Sequence, residues 1–315
     1  MIKIENFDLT VPSGISYGGH SGSKKGIIID GERWFLKYPK STKSMDVKGL
    51  SYTTTPISEY LGSHIYELIG LETHETKLGI ANEKVVVACK DFLNNNESII
   101  DYTMIKNEYD ENIEKAIEKL TSTTKLNSNH NLEEVILIMN ENPYFKKIPL
   151  LKERFWDMFV IDAFINNNDR NEGNWGLVLD KDNNMLKVSP VFDNGSSFYN
   201  KSSDEKLINI SQDPFKFKQS VYDSSISVYK LNGKSINPVK YIESMVNEEC
   251  NKSVLRIVPK INIDKIKELF NEVPEEYNNL KVFSKAQREY YLDSLIYKYD
   301  NVLLPVYNEL LNKQH

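Results

Sequence analysis

Residues 168–175 read Asn-Asp-Arg-Asn-Glu-Gly-Asn-Trp and are the most informative stretch of the sequence. They follow an apolar segment that predicts a buried helix, and they precede a predicted strand at residues 176–179. A second informative stretch, residues 189–195, reads Ser-Pro-Val-Phe-Asp-Asn-Gly. Phosphoryl transfer needs a carboxylate near the attacking hydroxyl and hard oxygen ligands for magnesium. Asp169 could supply the first, and Asn174 and Asp193 the second.

The order and spacing of these residues are typical of kinase loops. Asp169 and Asn174 have the D-x-x-x-x-N spacing of a catalytic loop, and Asp193 stands in an apolar-Asp-x-Gly turn after a predicted hairpin. Asn-rich turns are common in this composition, so either half alone could arise by chance. Both halves in the proper order are much harder to explain in that way.

Two features nearer the N-terminus fit the same chemistry. One is a glycine-rich stretch before a strand, where backbone N–H groups, hydroxyls and a lysine could contact phosphates, although many such loops are only flexible turns. Its residues are Gly18, Gly19, Ser21, Gly22, Ser23 and Lys24. The other is Lys37 in an apolar strand, where its charge needs a phosphate or a carboxylate such as Glu59, unless it points to solvent from an edge strand.

The arrangement of predicted elements divides the chain into two parts. Residues 1–93 contain predicted strands and one helix, which begins at Thr55-Pro56, and Asp30-Gly31 predicts a tight hairpin. Residues 94–315 have helical periodicity, interrupted by a predicted hairpin at residues 176–188. We therefore expect an α+β fold with a small β-rich N-lobe (1–93) and a large helical C-lobe (94–315).

Composition excludes several classes of protein. Hydrophobic residues make up 40% of the 315-residue chain and its net charge is −6, so neither a disordered tail nor a nucleic-acid-binding surface is indicated. Two cysteines and five scattered histidines lack the spacing of a disulfide framework or a transition-metal site. Without an apolar run long enough for a membrane span or a signal core, we expect a cytoplasmic protein and no membrane partner.

The sequence resembles the HipA-like family of protein kinases, distant relatives of the phosphoinositide kinases. Within that family it is similar to the compact members that lack an extra N-terminal subdomain. The resemblance begins at residue 14, extends to the vicinity of residue 200, and is weaker beyond. The segments that carry it are residues 18–24, 58–60 with Leu71, 85–92, 155–160, 168–176 and 190–196.

The resemblance implies a bilobal, protein-kinase-like fold and a serine/threonine protein kinase that uses ATP and Mg²⁺. Asp169 would be the base or orienting carboxylate for the substrate hydroxyl. Asn174 and Asp193 would hold Mg²⁺, and Lys37 would contact the α/β-phosphates. These four residues, far apart along the chain, are expected to converge on one magnesium–triphosphate.

Other roles follow from the same resemblance. Residues 19–24 would cover the phosphates, and Lys90, Asp91 and Phe92 would form the hinge whose backbone pairs with adenine. Family members can autophosphorylate on a serine near the phosphate loop, for which Ser21 and Ser23 are the nearest candidates. Many relatives have histidine where this chain has Asn171, which leaves open how the catalytic loop is held.

Three alternatives remain open on the sequence alone. A pseudokinase would bind nucleotide without turnover, although the set Lys37, Asp169, Asn174 and Asp193 is intact. A kinase of a lipid or a small molecule would keep the fold and change the acceptor. In an interaction protein, the Asn/Asp turns would be surface features only.

The expected partner is a protein substrate with a serine or threonine acceptor. Some HipA-like kinases are toxins restrained by a DNA-binding antitoxin, whereas others are suggested effectors that leave the cell, so secretion is the alternative to a cytoplasmic location. No helix-turn-helix pattern is recognisable here. Any antitoxin-like regulator would therefore be a separate polypeptide.

Overall fold

The structure, a computed structural model, describes residues 1–18, 24–45, 47, 49–107 and 130–313. The described chain divides into two compact units, each assembled from separate stretches of sequence. Unit 1 comprises Met1–Phe92, Pro190–Val221 and Lys260–Tyr299, and unit 2 comprises Leu93–Ser189, Tyr222–Pro259 and Asp300–His315. The predicted lobes, residues 1–93 and 94–315, are a different division, and that division stays a prediction.

Unit 1 is built on a six-stranded sheet. The strand order is β1-β5-β6-β4-β3-β2, and every neighbouring pair is antiparallel except the parallel pair β1 and β5. The strands are β1 (Glu5–Asn6), β2 (Val11–Pro12), β3 (Lys24–Ile29), β4 (Glu32–Lys37), β5 (Thr76–Ala81) and β6 (Lys84–Lys90). Strand β4 therefore lies inside the sheet, and Lys37 at its end pairs with Lys24 on one side and Val87 on the other.

The predicted hairpin at Asp30-Gly31 is confirmed. Both residues have a positive φ, 51° and 80°, as a two-residue turn between strands of right-handed twist requires. The turn fixes the register of β3 against β4, and one face of this part of the sheet then forms a buried apolar cluster. Its buried members are Phe7, Ile27, Trp34, Leu36, Ala81, Val86 and Ala88.

Helix α1 (Thr55–Leu68) contacts strands β5 and β6. Pro56 occupies its first turn, where the missing N–H has no helical partner to lose, and Gly70 follows its end with a φ of 88°. Most of the helix is buried, including Glu59. The other α-helices in the part of unit 1 that the structure describes are Asp204–Ser211, Pro214–Lys218, Ile263–Glu272 and Lys285–Lys298, with a short hairpin of Glu276–Tyr277 and Leu280–Lys281.

Unit 2 contains a three-stranded antiparallel sheet of β7 (Glu97–Asp101), β8 (Gly176–Asp180) and β9 (Met185–Val188). The predicted hairpin β8–β9 is confirmed, but the expectation of helical structure from residue 94 onward is wrong at β7. Five half-buried residues are too few to show a period, and β7 is a strand because β8 satisfies its backbone hydrogen bonds. Gly176 is needed at this pairing, since a Cβ there would lie 2.2 Å from the carbonyl oxygen of Ile100.

The core helix of unit 2 is α2 (Pro149–Ile165), which is apolar on most of its surface and contacts the helix Glu248–Ile257. Asn166 ends α2 in a left-handed conformation with a φ of 59°, so the chain turns directly into the loop at residues 167–175. Among the described residues of unit 2, the other α-helices are Tyr102–Lys106, Leu132–Glu141, Pro143–Lys147, Pro238–Ser244, Glu248–Ile257 and Leu304–Asn312, with a short hairpin of Lys230–Leu231 and Lys234–Ser235. Among the helices of the described residues, none is both long and apolar enough to cross a membrane.

Candidate active site

Lys37 lies at the centre of a buried ionic cluster in unit 1. Its Nζ donates to Oε2 of Glu59 and to Oδ1 of Asp193, at 2.7 Å in each case. Lys37 is only 6% exposed and Glu59 is fully buried, whereas the side chain of Asp193 is 38% exposed. The predicted Glu59 partner is therefore present, and the alternative of a solvent-facing lysine on an edge strand is wrong.

The charges of this cluster stabilise one another. Burial alone would lower the pKa of Lys37, but the carboxylates of Asp193 and Glu59 outweigh it and raise that pKa above its usual value. Burial likewise disfavours the Glu59 carboxylate, yet Lys37 and His74 together hold its pKa well below the usual range. The attraction of Lys37 also lowers the pKa of Asp193. Both carboxylates and the ammonium are therefore charged at neutral pH.

Glu59 also connects α1 to the turn that contains Asp193. Its Oε1 accepts hydrogen bonds from Nε2 of His74 at 2.9 Å and from the backbone N–H of Asn194 at 3.0 Å. Asn194 is buried and donates through Nδ2 to Ser63, one turn further along α1. No sequence pattern assigned a role to these three partners, because each matters only through a contact with a residue far along the chain.

Gly195 completes this turn because a side chain would not fit there. A Cβ at this position would lie 2.7 Å from Cγ2 of Thr55 and 2.9 Å from Oε2 of Glu59. The glycine of the apolar-Asp-x-Gly pattern thus lets the turn approach the helix closely enough for Asn194 to reach Glu59.

One group among the described residues has the ligands to hold a metal ion: Glu59, His74 and Cys89. All three are buried, and their candidate ligand atoms lie within 4.8 Å of one another. Sequence spacing could not show this group, because its members come from α1, the segment before β5, and β6. Burial raises the pKa of the Cys89 thiol well above its usual value, and both oxygens of Glu59 already accept hydrogen bonds.

The predicted hinge belongs to unit 1 and is partly occupied by internal hydrogen bonds. The backbone N–H of Lys90 donates to the carbonyl of Glu75, and that of Asp91 donates to the carbonyl of Arg33. The Phe92 ring lies 5.6 Å from the ring of Phe192, centroid to centroid. Of the predicted phosphate loop, Gly19, His20, Ser21, Gly22 and Ser23 lie outside the described residues, whereas Gly18 and Lys24 flank them on the chain.

The predicted catalytic loop belongs to unit 2, and a buried ion pair holds it to helix α2. Nε and Nη2 of Arg170 donate to the two carboxylate oxygens of Asp162, at 3.0 and 3.2 Å. Asn167 donates to the same carboxylate at 3.0 Å, and Nη1 of Arg170 contacts the carbonyl of Asn174 at 3.4 Å. Such a two-point contact fixes the arginine in both position and orientation.

Asp169 and Asn174 are brought together within this loop. Nδ2 of Asn174 donates to the carbonyl of Asp169 at 3.0 Å. Asn171, where the sequence resemblance implied histidine in many relatives, accepts the N–H of Gly173 through Oδ1 at 3.0 Å. The loop is thus held by Asp162 and Arg170 together with hydrogen bonds inside the turn, and no histidine at position 171 is required. The convergence of Lys37, Asp169, Asn174 and Asp193 on one nucleotide stays a prediction.

Glu172, inside the same loop, is tied to two basic residues. It accepts a hydrogen bond from Nζ of Lys106 at 3.4 Å, and it lies 3.6 Å from Nδ1 of His130. Lys106 also contacts Glu134 at 2.9 Å. This small ionic network was not predicted, since its residues are spread over almost seventy positions of a sequence rich in charges.

Two features define the class of protein-kinase-like phosphotransferases. One is a sheet lysine paired with a helix glutamate, here Lys37 and Glu59, and the other is an aspartate five residues before an asparagine. Comparison with solved structures agrees. The crystal structure of the proinflammatory kinase CtkA from Helicobacter pylori matches with a TM-score of 0.83 and 26% identity, over 98% of this chain and 99% of that one. HipA of Shewanella oneidensis MR-1, solved with HipB and operator DNA, shares the fold with a TM-score of 0.52 and 10% identity, over 95% and 70% of the two chains.

A scan against models of protein families gives no match. Among curated proteins, the serine/threonine-protein kinase CtkA of Helicobacter pylori strain J99 is 32% identical over 259 residues, which cover 82% of this chain and 75% of the relative. The chain belongs to the family of the serine/threonine-protein kinase CtkA, and it shares the fold of HipA.

The Asp162–Arg170 pair yields a prediction about stability. Asp162→Asn alone leaves a buried guanidinium without its counter-charge, so we expect a loss of about 3–5 kcal/mol in the free energy of unfolding. Arg170→Met alone should cost a similar amount, and the double variant less than the sum of the two. Denaturant titrations of the three variants measure the coupling energy.

The matched control is an exposed pair. Lys313→Ala breaks the contact to Glu309 on a surface helix and should change stability by less than about 0.5 kcal/mol. Additive effects of Asp162→Asn and Arg170→Met would show that the two side chains do not act as a pair.

Proposed function

We propose that this serine/threonine kinase transfers the γ-phosphoryl group of ATP, with Mg²⁺, to a hydroxyl of a protein substrate. The observation that carries the proposal is the buried contact of Lys37 with Glu59 and Asp193. A lysine held by a fully buried carboxylate keeps its charge and its position, and it can then contact the phosphates of a nucleotide. ATP and Mg²⁺ fit the residues present, because the available side-chain ligands are oxygens, which Mg²⁺ prefers.

Each predicted residue has a distinct role in this proposal. Asp193 offers a half-exposed carboxylate for Mg²⁺, and Asn174, whose amide nitrogen donates to Asp169, offers its side-chain oxygen. Asp169 orients the acceptor hydroxyl and takes its proton, while the hydroxyl oxygen bonds to the γ-phosphorus and the bond to the leaving ADP oxygen breaks. When bound, Mg²⁺ neutralises charge on the phosphates.

The adenine end of the nucleotide is proposed to bind at Lys90, Asp91 and Phe92. Because the N–H groups of Lys90 and Asp91 already donate within unit 1, the Phe92 end of the hinge is the part left for the base. The neighbouring ring of Phe192 supplies an apolar surface of the kind that purines contact.

The glycine-rich stretch from Gly18 to Lys24 is proposed to contact the phosphates. The acceptor is proposed to be a serine or threonine of another protein, and regulation by a separate antitoxin-like polypeptide and a cytoplasmic location remain predictions. The pseudokinase alternative requires a degenerate site, whereas the Lys37–Glu59 pair is intact here.

The first functional prediction concerns the two aspartates. Asp169→Asn and Asp193→Asn should each lower phosphotransfer at least about 100-fold, because each removes a charge used in the reaction while keeping the shape of the side chain. Incorporation of labelled phosphate into casein or myelin basic protein measures activity, and thermal unfolding checks the fold. Asp264→Asn, at an exposed site, is the matched control and should be fully active. Activity like that of the wild type in either variant would contradict the assignment.

A second prediction concerns Lys37. Lys37→Ala should lose nucleotide affinity, since the phosphate-binding charge is gone, so Mg²⁺–ADP should no longer raise its unfolding temperature. The comparison of each protein with and without nucleotide separates binding from the stability lost by unpairing Glu59. Lys267→Ala, an exposed lysine, should keep the full nucleotide-dependent increase. Equal increases in all three proteins would remove Lys37 from the nucleotide site.

Autophosphorylation gives a third prediction. Mass spectrometry of the purified kinase incubated with ATP and Mg²⁺ should find added phosphate on Ser21 or Ser23. The Asp169→Asn variant should carry none, and a Ser21→Ala/Ser23→Ala double variant should lose the modification at this stretch. Phosphate located only at other residues would overturn the proposed sites without affecting the kinase assignment.

A further inference from the structure

His74 is a buried titratable residue that none of the roles above uses. It is 2% exposed and lies just before β5, in a segment anchored to the Asp193 turn. Its backbone N–H donates to the carbonyl of Val191 at 3.1 Å, and the neighbouring Thr73 forms a parallel bridge with Val191. The side chain contacts Glu59, where Nε2 must be the donor because a carboxylate can only accept.

The Glu59 carboxylate receives donors from three different places in unit 1. Lys37 contacts Oε2, whereas His74 and the N–H of Asn194 share Oε1. With two donors on one oxygen and one on the other, the carboxylate cannot rotate without breaking at least one of these contacts. Its orientation therefore couples the position of Lys37 to the position of the backbone at Asn194.

The backbone of Asp193, next to Asn194, is held in an unfavourable conformation. Asp193 has a φ of 60°, in the left-handed region that residues with a side chain seldom occupy. Such a conformation persists only where surrounding contacts impose it, and the hydrogen bond from Asn194 to Glu59 is one of those contacts. Glu59 thus holds the Asp193 carboxylate in place as well as Lys37.

We infer that His74 is a positioning residue for the kinase reaction: through Oε1 it fixes the Glu59 carboxylate, and Glu59 in turn sets both Lys37 and the Asp193–Asn194 turn. The inference rests on the proposed function, in which Lys37 contacts phosphates and Asp193 binds Mg²⁺. The Lys37 ammonium has three N–H donors, so it can contact a phosphate with the third while Glu59 remains its buried partner. The orientation of the Glu59 carboxylate then sets that of the ammonium, and the hydrogen bond from His74 to Oε1 helps to fix that orientation.

The test compares variants that keep or remove the donor. His74→Leu removes the hydrogen bond to a charged group, so the KM for ATP and the Mg²⁺ concentration for half-maximal activity should both rise about tenfold. His74→Gln can place an N–H near the same point and should restore both constants to within about threefold of wild type. His74→Asn is polar but too short to reach Glu59, so it should behave like His74→Leu and replaces it if the leucine variant does not fold.

His64→Leu is the matched control. His64 lies on α1, as Glu59 does, but its ring contacts the carbonyl of Tyr60 and not Glu59, so both constants should remain at the wild-type values. A change in unfolding temperature alone, with unchanged KM and Mg²⁺ dependence in His74→Leu, would reduce His74 to a structural residue and overturn the inference. Equal losses in His74→Gln and His74→Leu would also overturn it.

Three further outcomes separate the positioning role of His74 from a metal-binding role, and failure of this inference from failure of the proposed function. Binding of one Zn²⁺ per wild-type chain, lost in both His74→Leu and Cys89→Ser, would show that these residues form a metal site with Glu59 and would overturn the positioning role. A wild type that transfers no phosphate from ATP would remove the proposed function and this inference with it. An active wild type with an inactive Asp193→Asn variant and unaffected His74 variants would overturn the inference alone.

Discussion

A carboxylate without solvent exposure is the constraint on which unit 1 depends. Moving an ionised group out of water is strongly unfavourable, and Glu59 can remain charged only because three donors surround it. Those donors come from β4, the segment before β5, and the turn after Val191. One side chain, Glu59, therefore holds the sheet, helix α1 and the Asp193 turn together. Gly195 gives the turn room to approach Glu59.

Unit 2 holds the loop at residues 167–175 in a comparable way, but there the central buried charge is positive. There a buried guanidinium, Arg170, is satisfied by both oxygens of Asp162 on α2, and it also contacts the carbonyl of Asn174. In each unit an unfavourable buried charge is neutralised by a partner on a neighbouring element, which fixes the polypeptide beside a proposed reactive residue. Within that loop Asn171 forms a local turn, accepting the N–H of Gly173.

Local patterns predicted much of this architecture. Asp30-Gly31 determines a hairpin by itself, and the spacing of Asp169 and Asn174 and the Asp193 turn were sufficient to indicate a kinase. The strand at residues 97–101 was missed because its conformation comes from pairing with β8 rather than from its own composition. His74 and Cys89 were missed for a related reason: an isolated histidine or cysteine has no pattern, and only the folded chain places them beside Glu59.

The discontinuous make-up of unit 1 has a consequence for biosynthesis. The N–H that Glu59 accepts belongs to a residue 135 positions later, and at about 5–20 residues per second the ribosome needs roughly 7–27 seconds to reach it. During that interval the nascent sheet and α1 exist without the Asp193 turn, and Glu59 lacks one of its donors. The final stretch of the unit, residues 260–299, emerges later still. Folding of this unit is therefore completed only after residues 260–299 have emerged, even though all six strands of its sheet are synthesised first.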